Sequence, residues 1–334
     1  MIGRQKKNPG GFTLIVLISL TSCSIQARIP LSPVPFPVNT ENPISYPTAT
    51  REIVPPATLI PELVPSGRIA FTCQVSGTKV QDQICIMNAD GTGFEQLTFD
   101  KSSEHFYPSM ATDGKSVVYS ANPTGVYEIY DLDMLGNSRQ LTHGLGLLTA
   151  PEISPDNQSI AFTLGNGQAP SIWMTDRAGN QPRVVYGPGW DPTWSPDGMK
   201  IMFASYDTNN SIQLFTINLD GSGLKQVTHM EYLRGRSDWS PDGKWAVTYA
   251  GEPWNRELYL IPLDGGDPVQ LTPAGGNSQG PSFAPDGQWV AFTAYFNEIG
   301  KDDGCEIYII NVDGTHLTRL TNNSYCDWQP RWGP

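Results

Sequence analysis

The chain has 334 residues, 39% of them apolar, with 33 Asp and Glu against 21 Lys and Arg and a formal net charge of −12. This negative charge repels nucleic acid phosphates and anionic lipid head groups, so neither is an expected partner. The 5 cysteines form no C-x-x-C pair and the 4 histidines show no ligand spacing, so we expect neither a metal site nor a cofactor.

Residues 1–22 have the pattern of a lipoprotein signal peptide. Three basic residues within the first seven precede an apolar run from Phe12 to Leu20. That run is shorter than the about 20 apolar residues that a membrane-spanning helix needs. Directly after it, Leu20-Thr21-Ser22-Cys23 resembles a bacterial lipobox, and the alternative is an ordinary signal peptide with an incidental cysteine. The sequence predicts an extracytoplasmic chain, periplasmic or at the cell surface, whose lipidated Cys23 anchors it to the bacterial envelope.

Residues 23–65 are predicted to be a disordered tether. Ten prolines lie between Pro30 and Pro65. Proline at this density removes backbone donors and fixes φ, which favours extended polyproline-like chain over sheet or helix. At about 3.1 Å per residue, the tether could hold the folded part up to about 130 Å from a membrane.

Two disulfides are predicted from the remaining cysteines. Cys73, Cys85, Cys305 and Cys326 are an even number in an exported chain, which favours pairing. Four cysteines allow three connectivities. We expect Cys73–Cys85 and Cys305–Cys326, because the two members of each pair are close in sequence.

Two turn motifs repeat through residues 66–334. The first is of the S-P-D-G type, and its aspartate recurs every 41 to 45 residues, at Asp113, Asp156, Asp197, Asp242 and Asp286. The second is of the N-x-D-G type, as at Asp220-Gly221, and precedes a short strand that usually ends in Leu-Thr or Val-Thr. Asp-Gly suits hairpins because both residues tolerate positive φ. Four short strands in each period predict the blades of a β-propeller.

The two ends of the folded part set the number of blades. Residues 67–72 form a second strand without a first, and residues 329–334 form a first strand without a successor. Joining them completes one blade and leaves no open sheet edge. With five internal repeats, the sequence predicts an all-β, six-bladed β-propeller over residues 66–334, closed by N- and C-terminal strands that share one blade.

The turn motifs resemble those of the TolB-like β-propeller family over about four-fifths of the chain. Trp194-Ser195-Pro196-Asp197-Gly198 shows the first motif in full, and Asn311-Val312-Asp313-Gly314 shows the second. The proline-rich segment stands where TolB has an α/β domain before its propeller. The resemblance implies that the chain serves as an interaction platform.

Alignment of the predicted first strands reveals columns of equivalent residues. One column is apolar and predicts packing between blades: Met110, Ile153, Trp194, Trp239, Phe283 and Trp332. The polar columns before it, together with the connections into the first strands, predict a mixed-charge ligand-binding mouth of the central channel. Its proposed residues are Glu152, Trp190, Asp191, Arg234, Arg236, Asp238, Trp328 and Arg331. Mutual pairing of these charges is the alternative.

Two functions of different classes are compatible with this pattern. The first is a monomeric binding module, attached to the membrane by its lipid, that recognises a protein, peptide or glycan of the envelope. The second is a hydrolase or lyase acting on polysaccharide at the channel mouth. Its candidate catalytic groups are Glu152, Asp191, Asp238 and His105. A G-x-S-x-G match at residues 276–280 lacks the helix that a nucleophile elbow requires, so no catalytic residue is assigned. Carboxylates paired to Arg236 or Arg331 would favour the binding module.

Overall fold

A computed structural model describes residues 64–75, 81–165, 169–296 and 304–334. The predicted signal peptide, Cys23 and the tether up to residue 63 lie outside these residues. The regular structure within the described ranges consists of β-strands, and no helix there could cross a membrane.

Six antiparallel four-stranded sheets form the blades, numbered here in chain order from the blade that holds the first strand. Blade 1 contains β1 (Arg68–Val75), β2 (Gln81–Asn88), β3 (Glu95–Gln96) and, innermost, β24 (Asp327–Gly333). Blade 2 contains β4 (His105–Met110), β5 (Ser116–Ala121), β6 (Glu128–Asp133) and β7 (Ser138–Gln140). Blade 3 contains β8 (Leu147–Ile153), β9 (Ser159–Gly165), β10 (Ser171–Asp176) and β11 (Arg183–Tyr186).

The second half of the chain supplies the other three blades. Blade 4 contains β12 (Trp190–Trp194), β13 (Lys200–Tyr206), β14 (Ile212–Asn218) and β15 (Lys225–Gln226). Blade 5 contains β16 (Asp238–Trp239), β17 (Trp245–Glu252), β18 (Asn255–Pro262) and β19 (Val269–Gln270). Blade 6 contains β20 (Gln279–Phe283), β21 (Trp289–Ala294), β22 (Glu306–Asn311) and β23 (Thr318–Arg319).

Antiparallel pairing gives the ring two distinct faces. The S-P-D-G turns of blades 2 to 6 and the N-x-D-G turns of all six blades lie on one face, which we call the lower face. The hairpins between the second and third strands of blades 2, 4 and 5, which the structure describes in full, lie on the opposite, upper face, together with the connections from one blade to the next. The first strand of each blade lines the central channel.

The ring closes as the sequence predicts. Strand β24 pairs with β1 in a sheet of order β24-β1-β2-β3, with Trp332 opposite Ile69. The indole of Trp332 is 8% exposed and donates to the carbonyl of Ser66 at 2.8 Å. The predicted all-β, six-bladed propeller with a shared blade is therefore confirmed.

The apolar core is divided into six clusters of buried side chains. Each cluster includes one residue of the apolar column predicted from the sequence. Trp332 is buried within its cluster, whereas Trp239 is partly buried and packs against the margin of its own. Four fully buried phenylalanines lie at equivalent positions of second strands: Phe71, Phe162, Phe203 and Phe292. Burial of one such side chain stabilises the fold by about 1.5–3 kcal/mol.

Hydrogen bonds explain why both sequence motifs recur. In the S-P-D-G turn of blade 5, Asp242 Oδ1 accepts from the Ser240 hydroxyl (2.6 Å) and from the Lys244 N–H (3.1 Å). The threonine that follows the outer strand ties that strand to the third strand. Thr272 Oγ1 donates to Glu257 Oε2 (2.7 Å) and accepts from the Leu258 N–H (2.9 Å). Equivalent bonds are made by Thr98, Thr142, Thr228 and Thr321.

Both predicted disulfides are present. Cys73 of β1 is bonded to Cys85 of β2, with a Cα–Cα distance of 5.8 Å. Cys305, directly before β22, is bonded to Cys326, directly before β24, with a Cα–Cα distance of 4.4 Å. The second bond therefore links blade 6 to the strand that closes the ring. Disulfides of this kind are typical of proteins in an oxidising compartment outside the cytoplasm.

Candidate functional site

A repeated bulge shapes the wall of the central channel. In five first strands the residue directly before a proline has a left-handed backbone, with φ between 48° and 61°, at Tyr107, Ala150, Asp191, Gly280 and Gln329. Such φ values are uncommon for residues other than glycine. Because they recur around the ring, they belong to the fold and do not mark one site. All five of these first strands also shift register there against their second strands.

Blade 5 departs from this pattern at the channel. Ser237 replaces the proline, and Arg236 at the equivalent position is not left-handed. Regular pairing of the first strand is reduced to Asp238 and Trp239, with an isolated bridge from Leu233 to Ala250. The side chain of Arg236 consequently enters the channel from an irregular connection.

The lower layer of the channel is a buried ion triad from three alternate blades. Arg331 of blade 1 lies 3.0 Å from Glu152 of blade 3 and 3.4 Å from Asp238 of blade 5. Asp238 also accepts hydrogen bonds from the hydroxyls of Thr193 (3.2 Å) and Ser282 (3.1 Å). Burial raises the pKa of Glu152 to about 7, and the Asp238 charge adds to this, whereas Arg331 opposes it.

The upper layer is bridged by a cation–π contact between opposite blades. The guanidinium of Arg236 lies 5.2 Å from the centre of the Tyr107 ring in blade 2. Gln329 supports this arrangement, because its Oε1 accepts from the Tyr107 N–H and from the Thr72 hydroxyl, both at 2.9 Å. Burial raises the pKa of Asp191 in the same layer, against the opposing charges of Arg236 and Arg331.

The structure brings five of the eight predicted binding residues together in the channel. Glu152, Asp191, Arg236, Asp238 and Arg331 interact across it. The sequence predicted that they would surround the mouth and wall of the channel, with mutual pairing of the charges as the alternative. Arg331 pairs with both Glu152 and Asp238, and the side chains lie largely buried where they span the channel.

The other three predicted residues lie toward the upper face: Trp190 and Trp328 at the beginnings of β12 and β24, and Arg234 in the connection that precedes β16. The Trp190 ring packs 5.2 Å from that of Tyr206. Arg234 donates to the carbonyl of Gly251 (3.0 Å) and lies 3.8 Å from the carboxylate of Glu252. Trp328 meets Phe106 edge-on, with 5.7 Å between ring centres.

Exposed aromatic residues on the upper face were missed by the sequence analysis. Trp254, in the hairpin between β17 and β18, is 69% exposed, and its ring lies 5.6 Å from that of Tyr295. Tyr206 and Tyr232 are also exposed on this face of blades 4 and 5. The carbonyl of Tyr232 accepts from the N–H of Gly251 at the base of the Trp254 hairpin (3.1 Å). The available signal was the tryptophan in a hairpin where the other blades have none.

The catalytic groups considered from the sequence do not assemble. His105 is buried beside Tyr119, with 5.5 Å between ring centres, and burial lowers its pKa. Ser278 of the G-x-S-x-G match is buried and its hydroxyl donates to Glu257 (3.3 Å), so no histidine activates it. Within the described ranges, no three His, Cys, Asp or Glu side chains form a group suited to a metal ion.

The chain is similar in sequence and in fold to TolB proteins and to other β-propellers. The model of the TolB beta propeller domain matches residues 188–298. An uncharacterized protein of Agrobacterium fabrum is 36% identical over 197 residues, which cover 56% of this chain and 63% of that protein. A TolB homolog of Chlorobium chlorochromatii is 34% identical over 234 residues, covering 69% of this chain and 41% of that protein. The crystal structure of TolB from Acinetobacter baumannii superposes with a TM-score of 0.70 at 24% identity, covering 80% of this chain and 67% of that one.

Enzymes also occur among the similar proteins. An uncharacterized peptidase of Bacillus subtilis is 27% identical over 211 residues, covering 49% of this chain and 32% of that protein. The crystal structure of oligogalacturonate lyase from Vibrio parahaemolyticus superposes with a TM-score of 0.51 over 76% of this chain and 80% of that one, at 15% identity. A likeness at that identity shows the fold alone. The chain spans less than two thirds of each of these three curated relatives.

Proposed function

The described residues form a TolB-like six-bladed β-propeller, and on that premise we propose that the chain is a binding module of the bacterial envelope. In this proposal, a lipid on Cys23 anchors a monomer to the membrane, and residues 23–65 act as the tether. The upper face then binds a protein or peptide partner, or a glycan that stacks on the same aromatic residues.

The observation that carries this proposal is the aromatic sector of the upper face, defined by Tyr206, Tyr232 and Trp254. These side chains are exposed on the upper face of blades 4 and 5. Large aromatic side chains dominate the binding energy of protein interfaces because they bury much area and lose little conformational entropy. An exposed group of them is therefore the expected form of a binding surface.

The ion triad favours binding over hydrolysis. Glycosidases need two carboxyl groups that flank the scissile bond in an open cleft. Here Glu152 and Asp238 are both paired to Arg331, and Asp238 also accepts hydrogen bonds from neighbouring hydroxyls. The triad is therefore best explained as a structural link between three blades.

A tryptophan substitution on each face tests the proposal. The tagged full chain captures its partner from membrane extracts of the native host, and Trp254→Ala is compared with Trp245→Ala. Trp245 is 37% exposed on the lower face, which makes it a matched control. We expect Trp254→Ala to lower the recovery of the partner at least tenfold, because truncating a central aromatic anchor typically costs about 2 kcal/mol or more.

Both variants must melt like the parent for the comparison to hold. Tyr232→Ala provides a second substitution within the aromatic sector. If the same partner is recovered in full by Trp254→Ala and Tyr232→Ala but lost with Trp245→Ala, binding occurs at the lower face and the proposal is wrong.

A further inference from the structure

Two nitrogens of the buried Arg236 guanidinium lack a hydrogen-bonding partner among the described residues. The residue is 6% exposed, yet its Nε and Nη1 atoms find no acceptor in the described part of the chain. Arg331, in the layer below, also has an Nε and an Nη1 atom without a hydrogen-bond acceptor, but it lies within ion-pair distance of two carboxylates. The two arginines therefore share one channel but only one of them is neutralised by direct contact.

This arrangement is unfavourable for the protein alone. Buried charged groups are normally paired, because the lost hydration must be replaced. Burial and the positive charge of Arg331 both lower the pKa of Arg236, whereas the charges of Asp191 and Glu152 raise it. The Asp191 carboxylate accepts a hydrogen bond from the backbone N–H of Arg236, not from its guanidinium. Among the described residues, the guanidinium lies against the face of the Tyr107 ring.

The upper layer of the channel has open space at the position in blade 6 that is equivalent to Arg236. Gly280 of the neighbouring blade 6 occupies the equivalent position, and a Cβ atom placed there would meet no atom within 4 Å. Ala150, across the channel in blade 3, adds only a methyl group to this layer. The lower layer is closed by the ion triad, so a ligand would enter from the upper face.

We propose that Arg236 binds a carboxylate of the partner, either a chain terminus or an Asp or Glu side chain, inserted into the channel from the upper face. This inference rests on the proposed function and specifies the chemistry of the partner. A carboxylate fits because the planar guanidinium matches its geometry and gains strong charge-assisted hydrogen bonds. The partner's acid would supply a counter-charge in direct contact with the guanidinium, which no described carboxylate approaches within ion-pair distance.

Peptide arrays test this inference with the full chain. Three sets of acetylated hexapeptides are compared: sets with a free terminal carboxylate, amidated sets that contain Asp or Glu, and amidated sets without any acid. We expect at least one acidic set to bind tenfold or more tightly than the neutral set. The preference should disappear in Arg236→Gln and remain in Arg183→Gln, an exposed arginine that donates to the carbonyl of Leu219 (2.8 Å).

Each outcome decides the inference. Binding of either acidic set, lost in Arg236→Gln, supports it and shows which carboxylate is recognised. Equal binding of all sets, binding of none, or an unchanged acid preference in Arg236→Gln overturns it. If Arg236→Gln does not fold, Arg236→Lys replaces it, and an acid preference as strong as in the parent overturns the inference. The proposed function fails separately, in the capture experiment with Trp254→Ala.

Discussion

Deleting residues 327–334 is expected to abolish cooperative folding of the propeller. The deletion removes β24, the innermost strand of blade 1, and leaves the ladder of β1 and the flanks of blades 2 and 6 unpaired or uncovered. Loss of the Trp332 side chain alone typically costs about 3–5 kcal/mol. Domains of this kind are stable by about 5–15 kcal/mol, so loss of the whole strand exceeds what the fold can tolerate.

Thermal unfolding followed by circular dichroism measures this effect. Trp332→Ala gives a graded version, and Trp254→Ala is the matched control because that tryptophan is exposed. Removal of residues 24–60 should leave the melting temperature unchanged, since the sequence predicts no core residues there. A truncated chain that melts like the parent would show that the ring does not depend on its C-terminal strand.

Arg331→Met is expected to destabilise the propeller by about 3–5 kcal/mol at pH 8. The substitution keeps much of the apolar volume but leaves Glu152 and Asp238 buried without their cation. Removing one partner of a buried ion pair is strongly destabilising because the remaining charge is uncompensated. Chemical denaturation of the parent and the variant measures the difference.

The pH dependence of this effect follows from Glu152. Its folded pKa, about 7, exceeds the ordinary value of 4.5, so the folded state holds a proton that the unfolded state has released. The contribution of this group to stability is therefore present at low pH and lost as the pH rises from about 4.5 to about 7. Without Arg331 that pKa rises further. The stability of the variant should fall more steeply with pH and continue to fall above pH 7.

A double variant separates the electrostatic effect of losing Arg331 from the effect of lost packing. Adding Glu152→Gln to Arg331→Met removes one of the uncompensated charges, so part of the lost stability should return at pH 8. If Arg331→Met costs the same at pH 5 and pH 8, and the double variant recovers nothing, the electrostatic account of the lower layer is wrong.

The sequence predicted the fold well because its signals are local. Each Asp-Gly turn is specified by a few neighbouring residues. The Asp242 carboxylate, for example, accepts a hydrogen bond from the backbone N–H of Lys244, two residues further along the chain. The number of repeats then predicted the number of blades. The unmatched strands at the two ends of the folded part predicted that they share one blade and close the ring. The threonine after each outer strand was visible as a motif, although its bond to the third strand was not.

The site was predicted less completely because its geometry is not local. Arg236 and Tyr107 come from opposite blades, and their contact depends on side-chain reach across the channel. The bulges interrupt the alternation of side chains between the two faces of each first strand. The predicted mixed-charge mouth relied on that alternation. Alignment of equivalent columns also overlooks hairpins that differ between blades, and Trp254 lies in such a hairpin.

Site-specific photo-crosslinking in cells of the native host tests the central claim, that the upper face binds the partner. A photoreactive phenylalanine analogue is placed at Tyr232 on the upper face or at Met199 on the lower face, both of which are exposed. We expect a discrete crosslinked product from position 232 and none from position 199. A product from position 199 alone would contradict the claim and move the binding surface to the S-P-D-G turns.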